Sequence, residues 1–282
     1  MMQIIDGKAL SAKYREKLKS EIQSLKSRGV TPGLAVILVG DDPGSQVYVR
    51  NKIKACEELG ITGFECRYPA DTDEKTVIAK IEELNANPDC DGILVQLPLP
   101  RHLDERKILS YIDVKKDVDG FSAYQTGLMC LGTPDLLPCT PHGVIELIKS
   151  TGVEIAGKNA VVIGRNNIVD KPMFHLLLQN NATVTVCHSK TRDLGSITSK
   201  ADILVVAIGK AKFVKKEMVK EGAIVIDVGM DRDENGKLCG DVDFEDVKEK
   251  CSFITPVPGG VGPMTITMLM SNTVAAANRR PK

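Results

Sequence analysis

The chain has no tryptophan, and aromatic residues make up only 4% of its 282 positions. A surface that stacks nucleobases needs aromatic faces, so this scarcity argues against a nucleic-acid partner. Neither sign of charge is in excess: 37 Lys and Arg balance 37 Asp and Glu. With no basic tail and no dense lysine run, nothing is offered to a polyanion. Long apolar runs are also missing. The longest, such as LAVILVG, are far shorter than a membrane span. The opening residues, MMQIIDGKALSAK, turn polar too early for a signal peptide. A cytosolic chain with no membrane association is therefore expected. The four histidines (His102, His142, His175, His188) are scattered, and the eight cysteines contain no CxxC pair. Reduced, packed thiols follow from this, with no disulfide framework and no metal.

What the sequence does have is alternation. Apolar strand candidates lie at Leu34–Val39, Gly63–Tyr68, Gly92–Gln96, Ala160–Gly164, Thr183–Cys187, Ile203–Ile208 and Ala223–Val228. Most are near-continuous apolar runs, the pattern of parallel strands covered on both faces. Helical patterns separate them: Leu10, Tyr14, Leu18, Ile22 and Leu25 at spacings of four, four, four and three, then Gln46–Leu59 and Glu74–Leu84. This predicts an α/β fold with a mainly parallel sheet. At roughly 150 residues per domain the length predicts two domains. TPDLLPCTP, Thr133–Pro141, holds three prolines and no periodicity, and is placed as a linker. Residues 1–139, joined by a C-terminal helix over 263–282, form the first expected domain, and residues 140–262 the second.

Several short stretches offer chemistry. In YVRNKIK, Tyr48 and Lys52 stand four residues apart, one turn apart on one helix face. They suit a proton-handling pair, or an aromatic ring covered by an aliphatic stem. DGILVQLPLP delivers Gln96 to the carboxyl end of a strand, where ligands bind in open α/β sheets. Pro98 and Pro100 then stiffen the exit. KDVDGF places Asp117 and Asp119 around a glycine turn: either a solvated Asx-type turn, or a carboxylate aimed at paired donors on a ligand. GKNAVVIGRNNIVDKPM reads as strand, turn and helix, an arrangement that aims backbone N–H groups at a phosphate. Only Gly164 survives of the GxGxxG pattern, and glycine there allows close approach of a ligand. The next strand ends in His188, Ser189 and Lys190 with no acid for a ribose 2′-hydroxyl. Ser189 and Lys190, with Arg165, could instead face a 2′-phosphate, which favours NADP over NAD.

Taken in order, YVRNKIKACEELGI, DGILVQLPLP, KDVDGF, PCTPHGV, GRNNIVDKP, VTVCHSKT, GAIVIDVGM, GDVDF and ITPVPGGVGPMT resemble the bifunctional methylenetetrahydrofolate dehydrogenase/methenyltetrahydrofolate cyclohydrolase family. The resemblance implies two α/β domains, the second a Rossmann-like NADP-binding domain, with a cleft between them serving both reactions. It implies NADP-dependent oxidation of 5,10-methylenetetrahydrofolate and hydrolysis of the methenyl product to 10-formyltetrahydrofolate. On the same resemblance Lys52 handles the proton and activates the reacting carbon towards water. Tyr48 positions the folate, Gln96 tunes Lys52, and Asp119 accepts from the pterin. Gly164, Arg165, Asn166, Ser189 and Met230 match NADP-contacting positions, and the loop from Pro258 through Gly259 and Gly260 to Gly262 helps close the site. The family is usually a homodimer joined through its cofactor domains, with tetrahydrofolate derivatives as its partners.

One turn departs from the family pattern. Asn166 stands where serine is usual, and Asp170 where a second glycine is usual. An acid in the first turn of a helix suits the macrodipole but repels a nearby phosphate. If it points inward, NADP binding is weakened and a cyclohydrolase with little dehydrogenase activity becomes the alternative. Two other enzyme readings compete. The Tyr-x-x-x-Lys pair of short-chain dehydrogenases follows the nucleotide turn, whereas this pair precedes it by more than a hundred residues. A quinate/shikimate-type dehydrogenase shares the two-domain plan. A folate- or nucleotide-binding regulator without turnover is the non-enzyme reading, and intact Tyr48, Lys52, Gln96 and Asp119 argue against it.

Overall fold

The computed structural model describes residues 2–280. Its strands are β1 (Gln3–Ile4), β2 (Gly33–Val39), β3 (Thr62–Tyr68), β4 (Gly92–Val95), β5 (Asn159–Ile163), β6 (Thr183–Cys187), β7 (Ile203–Val206), β8 (Ala223–Asp227), β9 (Asp231–Arg232), β10 (Leu238–Cys239) and β11 (Cys251–Ile254). They divide between two compact units. One holds Lys13–Cys139 and the chain from Ile266 onward; the other holds the chain up to Ala12 and Thr140–Thr265.

In the unit built on Lys13–Cys139, three parallel strands run in the order β3-β2-β4. The central strand β2 is buried along its whole length, as its sequence GLAVILV requires. The helix Pro43–Leu59 follows it. Asp42 starts this helix by accepting the Ser45 N–H at 2.7 Å, with Pro43 in the first turn, where a missing N–H costs nothing. Gly60 ends it at φ 75°, a left-handed cap that glycine adopts without strain. Ser45, Val49, Lys52, Cys56 and Leu59 recur at spacings of three and four along its buried face. At the end of the helix Glu74–Ala86, Lys116 Nζ donates to the carbonyls of Leu84, Asn85 and Asn87. Those carbonyls are left without partners by the helix terminus, and the contact fixes the start of the KDVDGF turn. From Ile266 the last helix packs into this unit. Asn272 donates to the carbonyls of Val118 and Leu137, at 2.8 Å each. Beyond that helix, Arg280 Nε and Nη2 grip the buried Asp91 carboxylate at 2.6 and 2.7 Å.

The other unit carries a six-stranded sheet, all parallel, in the order β1-β11-β8-β7-β5-β6. Strands β7 and β8 are wholly buried. The helix Asp170–Gln179 packs on β5 and β6, giving the strand–turn–helix unit expected over Gly157–Met173. Here the chain differs from the sequence expectation. Residues up to Ala12 cluster with this unit, where β1 pairs with β11 about 250 residues away. The Thr133–Pro141 stretch also departs from a plain linker, since the helix Cys139–Ser150 begins inside it.

Candidate active site

Lys52 lies in the apolar stripe of the helix Pro43–Leu59, only 7% exposed. Its ammonium donates to Gln96 Oε1 at 2.9 Å. Gln96 sits just past the end of β4, and its own amide nitrogen donates to Leu97 O at 2.7 Å, which fixes which end of the side chain faces Lys52. The KDVDGF turn runs beside β4, tied there by the Ile93 N–H on Lys116 O at 2.8 Å. Within it the two acids divide the work. Asp117 is buried and accepts from the N–H groups of Gly120, Phe121 and Ser122 at 3.0, 3.3 and 2.7 Å. It is the Asx-type turn builder. Asp119 is left to face Lys52 and Cys139.

Burial dominates the electrostatics of this group. It pulls the Lys52 pKa below the usual amine value, while the Asp119 and Cys139 charges pull it back up. It pushes Asp119 up to about 6 against the favourable field of Lys52, with Asp117 adding to the push. For both partners desolvation outweighs attraction, so each is moved toward its neutral form. Cys139 completes the cluster. Its thiol is pushed well above the ordinary value by burial and by Asp119, and it donates to Val118 O at 3.2 Å. Asn272 touches the same sulfur at 3.6 Å. Tyr48 lies one turn before Lys52, half-buried, with its hydroxyl pushed up by burial. This arrangement can hold a lysine that gives up its proton more readily than a free amine, beside a carboxyl that ionises near neutrality. Cys139 and Asn272 were not singled out from sequence. The visible signal is Ser271–Asn272–Thr273, three consecutive polar residues inside a largely apolar helix.

The second set of expected residues lies in the other unit. Gly164 follows the last residue of β5, with φ 136°. Arg165, Asn166, Ser189 and Lys190 are exposed, and Met230 is 44% exposed. The His188–Thr191 turn is closed by the Thr191 N–H on His188 O at 2.8 Å, which presents Ser189 and Lys190 to solvent. The loop after β11 is tight: Gly259 has φ 106°, and a Cβ on Gly260 would come 2.6 Å from Pro256 O. Gly7 leaves room for this loop, since a Cβ there would lie 1.8 Å from Gly260 O.

A strand end, a glycine, a helix start and exposed basic side chains fit a phosphorylated dinucleotide in all but one respect. The Asp170 carboxyl points inward, not to solvent: the residue is 1% exposed and Oδ2 accepts the Asn166 N–H at 2.8 Å. Among the described residues no group of His, Cys, Asp and Glu is arranged to hold a metal, no helix is long and apolar enough to cross a membrane, and all eight cysteines are free.

Comparison with known proteins agrees over the full chain. The catalytic-domain model of tetrahydrofolate dehydrogenase/cyclohydrolase matches residues 5–119, and the NAD(P)-binding-domain model of the same family matches residues 138–281. The bifunctional protein FolD of Campylobacter hominis is 59% identical over 281 residues, covering 100% of this chain and 99% of that protein. Among solved structures, the bifunctional methylenetetrahydrofolate dehydrogenase/cyclohydrolase of Campylobacter jejuni superposes with a TM-score of 0.97 at 51% identity, covering all of both chains. The Trypanosoma brucei dehydrogenase-cyclohydrolase, solved with NADP and an inhibitor, gives 0.95 at 39% identity, over 99% of this chain and 98% of that one.

Proposed function

The chain belongs to the tetrahydrofolate dehydrogenase/cyclohydrolase family, and we propose that Lys52 is the residue on which its chemistry turns. The protein is a bifunctional enzyme of one-carbon metabolism. It oxidises 5,10-methylenetetrahydrofolate with NADP and hydrolyses the methenyl product to 10-formyltetrahydrofolate. NADP supplies the hydride acceptor when bound. Binding, orientation and proton handling fall to the protein's side chains.

Hydride loss leaves a cationic C=N unit on the folate. A cation beside Lys52 disfavours its ammonium form further, in the same direction as its burial. Neutral Lys52 takes a proton from water as the water adds to the methenyl carbon. The new hydroxyl proton then passes to the folate nitrogen as the carbon–nitrogen bond opens, and one proton is released overall. Gln96 aims the amine through its 2.9 Å hydrogen bond. Tyr48, one turn away on the same helix face, positions the folate ring. Asp119, ionised above about pH 6, accepts from the paired donors of the pterin.

The observation that carries this reading is a lysine 7% exposed whose amine is held by an oriented amide and faced by a carboxyl. The Lys13–Cys139 unit with the last helix is assigned to folate and catalysis. The unit containing Thr140–Thr265 is assigned to NADP, through Gly164, Arg165, Asn166, Ser189 and Met230, with Pro258, Gly259 and Gly260 as the substrate loop. The family resemblance supports a homodimer, with neither a nucleic-acid nor a membrane partner, and eight free thiols support a cytoplasmic location.

Replacing Lys52 by Met tests the assignment. Loss of the positioned base is expected to cut hydrolysis of methenyltetrahydrofolate by about 10²–10⁴-fold, followed by absorbance, while NADP binding is unchanged. A variant with near-normal hydrolysis overturns it.

A further inference from the structure

The space above Gly164 is already taken. A Cβ at that position would lie 2.2 Å from Asp170 Oδ2 and 2.4 Å from its Cγ and Oδ1. Glycine's openness therefore serves the protein's own carboxyl. The amides of the turn are engaged in the same way. Asn166 N–H goes to Asp170 Oδ2 at 2.8 Å. Ile168, Val169 and Asp170 N–H all point at Asn166 Oδ1, at 3.1, 2.7 and 3.4 Å. These are the donors that a strand–turn–helix offers to a phosphate. The two residues that depart from the family pattern, Asn166 and Asp170, thus occupy the anion site from within. A second, independent observation points the same way: Asp170 Oδ1 is buried with no hydrogen-bond partner among the described residues.

We infer that Asp170 competes with the cofactor diphosphate for this turn, and that tight NADP binding requires the Asp170 carboxyl to carry a proton. In the neutral form Oδ1–H is a donor with no acceptor among the described residues and can donate to a phosphate oxygen. In the ionised form the same atom is an unpaired negative charge against that phosphate. Burial and Asp241 together push the Asp170 pKa up to about 7, so both forms are populated near neutral pH. The surrounding charges do not relieve it. Asp241 is buried and held by the N–H groups of Ile208, Gly209 and Lys210, and Asp231 shares a hydrogen bond with it. Arg165 in the turn and Lys171 in the first turn of the helix are exposed, and Lys171 Nζ is on Asn167 at 2.6 Å. On the helix of Asp170, His175 is held below its ordinary value by burial. Strand β5 brings no ionisable group, while β6 brings Cys187, whose thiol burial pushes up, with His188 beyond it.

This rests on the assignment of the Gly164 turn as the nucleotide site. The test is calorimetric titration of NADP into wild type, Asp170→Asn and Asp170→Gly from pH 6 to pH 9. The cofactor's own phosphate ionisation is common to all three proteins and cancels in the ratio of their Kd values. The wild-type Kd, divided by that of either variant, is expected to rise above pH 7 by up to about tenfold per pH unit. A ratio that stays constant across the range with both variants overturns the inference while leaving the nucleotide site in place. If none of the three proteins binds NADP, the site assignment fails and the inference falls with it.

Discussion

The two units differ in what faces their buried acids. In the Lys13–Cys139 unit, Asp91 faces Arg280 and Asp119 faces Lys52; Asp117 is spent on three amides of a turn. In the other unit, Asp170, Asp227 and Asp241 are buried with backbone amides as their donors. Asp227 takes the N–H groups of Gly229, Asp241 and Val242 at 3.0, 3.0 and 2.9 Å. Its pKa, like that of Asp170, is pushed up to about 7 by burial, with Asp241 adding to the push. Amide dipoles satisfy the oxygens but do not cancel the charge. A cation beside a buried acid pulls back against its desolvation, as Lys52 does for Asp119, which stops at about 6. Asp170 and Asp227, with amides in place of a cation, rise to about 7. A unit that receives an anionic cofactor can use the second arrangement, and a unit that manages a cationic folate intermediate can use the first.

The comparison breaks most easily at Asp91, where the acid holds both Arg280 and the Gly33 N–H, the latter at 2.8 Å. Replacing Asp91 by Ala leaves the Gly33 N–H without its acceptor and the Arg280 guanidinium with only longer contacts, to Asp89 at 3.7 Å and Thr31 O at 3.4 Å. A loss of about 3 kcal/mol is expected in urea denaturation, since removing one partner of a buried ion pair strands the other. A loss under about 1 kcal/mol would show that the cation contributes little and that the contrast between the units is one of geometry alone.

At Asp119 the same contrast is read as a pH profile. Its folded pKa of about 6 lies above the ordinary carboxylate value. The acceptor form is therefore present above pH 6 and lost as pH falls through it. Folate affinity of the wild type is expected to weaken by up to about tenfold per pH unit below 6. Asp119→Asn is expected to bind weakly with no such step. Matching profiles for the two proteins would detach Asp119 from the pterin.

Much of this contrast was invisible in the linear sequence, for identifiable reasons. The central strands were legible because buried parallel strands are continuous apolar runs, and β6 falls at Thr183–Cys187 as expected. Strand β1 was not: it has two exposed residues, and its partner β11 lies at the far end of the chain. That non-local pairing also draws the residues up to Ala12 to the unit of β11, which no local pattern announces. Lys52 and Gln96 sit 44 positions apart, so their contact rested on resemblance and not on spacing. Asp170 was recognised as a departure, but composition does not say which way a side chain points. Its direction is set by the Asn166 N–H and by the missing Cβ of Gly164, neither of which a periodicity reveals.

The smallest expected effect separates the stability role of Asp170 from its binding role. The folded pKa is about 7, well above the ordinary carboxylate value. Between about pH 4 and pH 7 the folded protein keeps a proton that the unfolded chain has lost. More protons bound in the folded state means stability falls as pH rises through that window and levels off above 7. Asparagine keeps the acceptor for the Asn166 N–H and cannot ionise, so Asp170→Asn removes this slope. In urea denaturation without cofactor, the variant is expected to gain about 1 kcal/mol on wild type between pH 5 and pH 8, a fraction of the ceiling of about 1.4 kcal/mol per pH unit for one proton. An unchanged difference between the two pH values would mean that Asp170 ionises at its ordinary value despite its burial. Amide donors alone would then be enough to hold a buried carboxylate, and the two units would differ in their partners but not in their charge.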